Sequence, residues 1–143
     1  MIELTSRVLV ALGNPCWVCS KVVGILLMAP HDRHAFDRAV EHLSCPSREA
    51  LAGLIRKHGM PSPRRLQNWL RVATMLEATR VAGWSLQGYA YTHGVEPSVL
   101  YRAVAGLTPE PWATVRAQGL ESWLARLGQE VGGRLRCTGA PAR

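Results

Sequence analysis

Two groups of residues in this chain have types and spacings that can support chemistry. Cys16-Trp17-Val18-Cys19 places two thiols three residues apart. Such a pair can pass between dithiol and disulfide if a helix N-terminus lowers one thiol pKa, or it can supply half of a tetrahedral zinc site. The zinc reading needs two more ligands. Cys45, Cys137 and five histidines are available, but none forms a second closely spaced pair. No metal site is therefore expected. Cys16 and Cys19 remain a redox candidate, beside the plainer reading of two inert cysteines in an apolar segment.

The second group is cationic. Seventeen Lys and Arg against ten Asp and Glu give a net charge of +7, with an isoelectric point near 9.9. A field of that sign attracts polyanions, nucleic acid foremost. Lys21 and Lys57 are the only lysines. Arginine suits bidentate contact with phosphate and guanine, although a GC-rich genome produces the same bias. His31 and His34, with Asp32 and Asp37, form a small polar cluster that reads as a solvated helix start. No Gly-rich phosphate loop, nucleophile elbow or paired-carboxylate arrangement is present, so neither an enzyme nor a cofactor is expected.

These groups must be positioned by one domain's worth of chain, 143 residues of which 48% are apolar. Four cysteines at positions 16, 19, 45 and 137 do not make a disulfide framework at this size. Pro15 and Lys21 interrupt the apolar stretch from Val8 to Met28, which argues against both a secretory signal and a transmembrane helix. A reducing cytoplasm and no membrane partner are the expectations. Residues 7–12 and 22–28 are short apolar runs that fit either a buried strand or a buried helix. Residues 1–30 read as an add-on that packs against the main module or supports dimerisation.

From His31 onward, helices alternate with clear punctuation, and the expected fold class is all-α. Phe36, Ala39, Val40 and Leu43 make a short amphipathic helix. Ser47 caps the next, with Ala50, Leu51, Leu54 and Ile55 as its apolar face and a left-handed stop at Gly59. Ser62 and Pro63 open a long helix whose stripe is Leu66, Trp69, Leu70, Ala73, Met75 and Leu76, closed at Gly83. Ser85 caps a short helix burying Leu86, Tyr89 and Ala90, and Gly94 ends it at positive φ. Glu96-Pro97-Ser98 opens another, with Val99, Leu100, Ala103 and Val104 on one side and a stop at Gly106. Thr108-Pro109 leads into a turn or helix carrying Trp112 and Val115. Beyond Gly119, Leu120, Trp123, Leu124 and Leu127 suggest one more amphipathic helix. Trp69, Trp112 and Trp123 read as core, Trp84 is ambiguous, and Trp17 has no assigned place. The tail from Gly132 is expected to be disordered.

The order short helix, turn, short helix, long helix, short helix, turn, short helix resembles the DNA-binding domain of the bacterial AraC/XylS transcription regulators. His58-Gly59-Met60-Pro61-Ser62-Pro63-Arg64-Arg65-Leu66 looks like that family's Gly-Met-Ser-Pro-Arg-x-Tyr-Leu with one extra residue. Leu70-Arg71-Val72 resembles its Leu-Arg-Leu. Ser85-Leu86-Gln87-Gly88-Tyr89-Ala90-Tyr91-Thr92-His93-Gly94-Val95 resembles Ser-Val-x-x-Ile-Ala-x-x-x-Gly-Phe. Gly106-Leu107-Thr108-Pro109-Glu110-Pro111-Trp112 is similar to Gly-Val-Thr-Pro-x-x-Tyr. The first half, Phe36 to His58, agrees in pattern more than in residues.

The resemblance implies two helix-turn-helix subdomains joined by a long linker helix within residues 31–117. Residues 118–143 would then be a C-terminal helix and tail. It implies sequence-specific binding of double-stranded DNA by a small regulator without an effector-binding domain, its two recognition helices entering successive major-groove segments. Base-edge candidates are Ser47, Arg48, Ala52, Glu96, Ser98, Val99 and Arg102, with Arg48 and Arg102 foremost. Arg56, Lys57, Arg64, Arg65 and Arg71 are the phosphate candidates. After Arg102 the chain reaches its glycine about three residues sooner than the family pattern does. A homodimer or another regulatory protein is the further partner considered. The alternatives are a degenerate helix-turn-helix module used for protein contacts, and a thiol-sensing regulator built on Cys16 and Cys19.

Overall fold

The computed structural model describes residues 2–132, and all regular structure among them is helical. The eight helices are α1 (Ile2–Ala11), α2 (Trp17–Met28), α3 (Ala35–His42), α4 (Arg48–Lys57), α5 (Pro63–Ala82), α6 (Leu86–Thr92), α7 (Pro97–Ala105) and α8 (Trp112–Val131). Cys137 and the tail from residue 133, expected to be disordered, lie outside the described residues.

Both ambiguous N-terminal runs are helices, and the reason appears once the window is widened. Leu4, Val8 and Leu12 are buried at i, i+4 and i+8, while Val10 inside the same run is 67% exposed. In α2, Cys19, Val22, Val23, Leu26 and Leu27 are buried at helical intervals, and Met28 is 78% exposed. A strand would have alternated every second residue instead. Residues 2–30 therefore pack against the rest of the chain as two helices that share its core: α2 lies on α3 and α5, and α1 lies on α2 and α8.

The expected caps form. Ser47 Oγ accepts from the Ala50 N–H at 3.0 Å, Ser62 Oγ from Arg65 at 3.4 Å, and Ser85 Oγ from Gly88 at 3.0 Å. Each satisfies an N–H that the first turn leaves without an intrahelical partner. The stops at Gly59, Gly83 and Gly94 have φ of 93°, 69° and 63°.

Helix α5 is the axis of the molecule, packed against α2, α6, α7 and α8. Its expected stripe from Leu66 to Leu76 is buried, and Val72 is buried as well. The pairs α3–α4 and α6–α7 each pack internally and lie toward opposite ends of the sequence about α5. Helix α8 kinks at Gly119 (φ 85°, ψ 176°), which turns its second part back along α5 and α1. There Trp123 donates its indole N–H to the Trp69 carbonyl at 3.1 Å, and the two rings lie 4.5 Å apart. Trp69, Trp112 and Trp123 are core residues, as expected. Trp84 is 37% exposed and Trp17 is 64% exposed at the start of α2. No helix of the described residues is long and apolar enough to cross a membrane.

Candidate functional site

The opposite face of α5 carries Arg64, Gln67, Asn68 and Arg71 at i, i+3, i+4 and i+7, a polar stripe one helix width wide. This stripe is the floor of a cleft of about 400 Å³. Arg48 from the first turn of α4 forms one wall; Val99, Arg102 and Ala103 of α7 form another; Arg33 enters from the loop between α2 and α3. Five guanidinium groups converge here, and no carboxylate lines the cleft.

The α2–α3 loop is pinned to α5 by main-chain acceptors. Gln67, buried, donates its amide to the Asp32 carbonyl at 2.7 Å and to the Pro30 carbonyl at 3.3 Å. Arg71 Nε donates to the same Pro30 carbonyl at 3.0 Å, and Arg71 Nη1 donates to Asn68 Oδ1 at 3.3 Å. One further contact ties this loop to α6: His31 Nε2 and the Tyr89 hydroxyl share a hydrogen bond of 2.5 Å, with the His93 ring stacked on Tyr89 at 4.0 Å. Burial, then the nearby Arg71 and His93 charges, lower the His31 pKa from 6.5 to about 4. Burial raises Tyr89 to about 12. His31 is thus a half-buried joint between the α2–α3 loop and α6, held neutral by its surroundings, which corrects the reading of His31 as part of a solvated helix start. His34, by contrast, is exposed beside Asp37.

The cleft's electrostatics follow from the same packing. Burial is the largest influence on Arg71 and lowers its pKa, with the Arg64 charge acting in the same sense; a guanidinium nonetheless stays protonated. Arg48 donates to Asp37 Oδ1 at 2.8 Å and lies over the Phe36 ring at 5.1 Å, and this hydrogen bond holds the Asp37 carboxyl below its ordinary range. Arg102 Nε reaches back to the Ser98 carbonyl at 3.3 Å. Like charges gathered in a concave wall focus the field on whatever anion enters, and an anion relieves their mutual repulsion.

The sequence-derived site residues separate into four groups. Arg48, Arg64, Arg71, Val99 and Arg102 come together on the cleft. Ser47 is engaged as the α4 cap, Ala52 packs partly against the core, and Glu96 and Ser98 are exposed at the start of α7. Arg56 and Lys57 are exposed at the far end of α4, where Arg56 borders a separate recess with Met60 and Glu130. Arg65, a phosphate candidate, makes a two-pronged pair with Glu130, one arm at 2.8 Å, and reaches the Gly106 carbonyl at 3.3 Å. Glu130 also accepts the Trp69 indole N–H at 3.2 Å, so this group fastens α5 to the end of α8. The sequence reading missed Arg33, Gln67 and Asn68. For Gln67 and Asn68 a signal existed, the i, i+3, i+4, i+7 polar stripe; for Arg33, held by a loop, there was none.

Cys16 occupies the N-cap position of α2 and is half-buried; Cys19, one turn on, is fully buried. Among the described residues no group of three or more His, Cys, Asp or Glu is placed to hold a metal ion. No family model, curated protein or solved structure matches the chain.

Proposed function

We infer that the protein binds double-stranded DNA through the arginine cleft, as a small regulator whose pairs α3–α4 and α6–α7 serve as twin helix-turn-helix units about the α5 linker. The observation that carries this reading is the convergence of Arg33, Arg48, Arg64, Arg71 and Arg102 on one cleft with no lining carboxylate. Neutralising several phosphates with fixed guanidiniums releases condensed counterions, and that release drives association with a duplex.

The arrangement shifts the roles within that reading. Arg48 and Arg102 border the same 400 Å³ cleft, whereas helices reading successive major-groove segments are about 34 Å apart. Both arginines are therefore assigned to the phosphate backbone of one segment. Base contact falls to the exposed Glu96 and Ser98 at the start of α7, where glutamate can accept from cytosine.

Titration of a labelled random duplex at several salt concentrations tests the reading. With up to five phosphates engaged, log K should fall with log[salt] at a slope of up to about −4.5. Absence of binding at low salt, or affinity indifferent to salt, overturns it. A second reading rests on the concavity of the cleft and the half-burial of Arg71: a cleft of 400 Å³ is also the size of a small-ligand site. Tight, saturable binding of pyrophosphate or a nucleotide without duplex binding would favour that reading.

A further inference from the structure

We propose that Cys16 and Cys19 form a thiol–disulfide exchange site, with Cys16 as the attacking thiol, Cys19 as the resolving thiol, and low-molecular-weight disulfides as the substrate class. The inference is independent of the DNA reading, because neither cysteine lines the arginine cleft.

Four observations place the chemistry. The cysteines sit at the N-cap and third positions of α2, a helix of 12 residues. Helix geometry separates their Cα atoms by about 5 Å, inside the range of about 4.4–6.8 Å that a disulfide spans. They differ in access: Cys16 is half-buried at the helix start, and Cys19 is 0% exposed. An incoming disulfide can therefore meet Cys16 and not Cys19, while Cys19 needs only to reach its neighbour. The local charge favours a thiolate at Cys16. The first turn of α2 has no acidic residue, its N–H groups and dipole point toward Cys16, and the Lys21 ammonium lies 5.8 Å from the centre of the ring of Trp17, the residue that follows Cys16. Finally, Trp17 is 64% exposed beside Cys16 and offers an apolar landing surface for the substrate.

The exchange runs in two displacements. Cys16 thiolate attacks one sulfur of glutathione disulfide, forming a mixed disulfide and expelling one glutathione thiolate. Cys19 then loses its proton to solvent and attacks the Cys16 sulfur, closing the intrachain disulfide and expelling the second glutathione thiolate. Each leaving thiolate takes a proton according to the solution pH. Two cysteine thiols are oxidised to one disulfide, and one glutathione disulfide is reduced to two thiols.

The test uses the full chain in glutathione buffers of graded ratio, quenched in acid, alkylated and mapped by mass spectrometry. Residues 8–21 form one tryptic peptide holding both cysteines, so the intrachain disulfide reads as that peptide lighter by two hydrogens and resistant to alkylation. The expected result is that product, with Cys45 and Cys137 still alkylated. Cys19→Ser should accumulate glutathione on Cys16, and Cys16→Ser should accumulate none on Cys19. The alkylation rate of Cys16 should follow pH with a midpoint below that of an ordinary free thiol, in the direction a helix N-terminus imposes. Thiols that persist under the most oxidising ratio, or a disulfide from Cys16 to Cys45 or Cys137, would overturn the proposal. So would glutathione on Cys19 in Cys16→Ser, or an ordinary midpoint for Cys16. Because the wild-type map and pH profile stand alone, failure of either variant to fold does not shield the proposal.

Discussion

Arg64 and Arg65 are neighbours in sequence with opposite fates. Arg64 lines the cleft; Arg65 is taken up by Glu130. Arg64→Gln should weaken duplex binding and reduce the magnitude of the salt slope by about one without moving the melting temperature, checked by anisotropy and calorimetry. Arg65→Gln should do the reverse. It leaves Glu130 with the Trp69 N–H and costs on the order of 1–2 kcal/mol of stability, a modest figure because the pair is partly exposed. His31 supplies a pH signature. Its folded pKa of about 4 lies below the ordinary 6.5, so the unfolded chain binds more protons between those values. The penalty is absent above about pH 6.5, grows as pH falls, and is complete below about pH 4. Urea midpoints should therefore show that wild type loses more stability than His31→Gln over that window, by on the order of 2 kcal/mol after allowance for solvent screening. Equal losses would remove His31 from the account.

Among the elements, α8 contains two glycines with different tasks. Gly119 has φ 85° and ψ 176°, a backbone region essentially restricted to glycine, and there is open space where a Cβ would stand. Gly119→Ala should cost about 1–3 kcal/mol through backbone strain alone. Gly128 is different: a Cβ there would lie 2.8 Å from the Ala11 carbonyl oxygen at the end of α1. Gly128→Ala should push α1 from α8 and cost about 1–3 kcal/mol by overpacking. Denaturation measures both, and hydrogen exchange separates them: Gly128→Ala should loosen α1 selectively. These helices were legible to different degrees. The serine caps, the glycine stops and the α5 stripe were readable because each acts within one turn of its own residue. The 7–12 run was not, since its five apolar residues after Arg7 fit either period until Leu4 is counted with them. The kink at Gly119 appeared in sequence only as a break between two apolar patterns, with no direction attached.

At the scale of the molecule, α1 and α2 tie α3, α5 and α8 into one core. Leu4, Val8 and Leu12 are buried where α1 meets α2 and α8, and α2 underlies α3 and α5. Leu12→Ala should destabilise the whole chain by about 2–5 kcal/mol in a single cooperative transition; a separate low-temperature unfolding of the N-terminal helices would show instead that residues 1–30 are a detachable unit. The amino-acid order alone determined what depends on near neighbours: the all-α class, the positions of α3 to α7, the core tryptophans and the wealth of arginine. Those features rest on helical periodicity, capping and composition, each local to a few residues. Tertiary structure decided which arginines do what. Arg33, Arg48, Arg64, Arg71 and Arg102 stand far apart in sequence and meet only because α4, α5, α7 and the α2–α3 loop pack around one stripe, while Arg65, one residue from Arg64 and so about 100° around the same helix, faces Glu130. A guanidinium's role is set by the charge it faces, and that charge comes from another part of the chain.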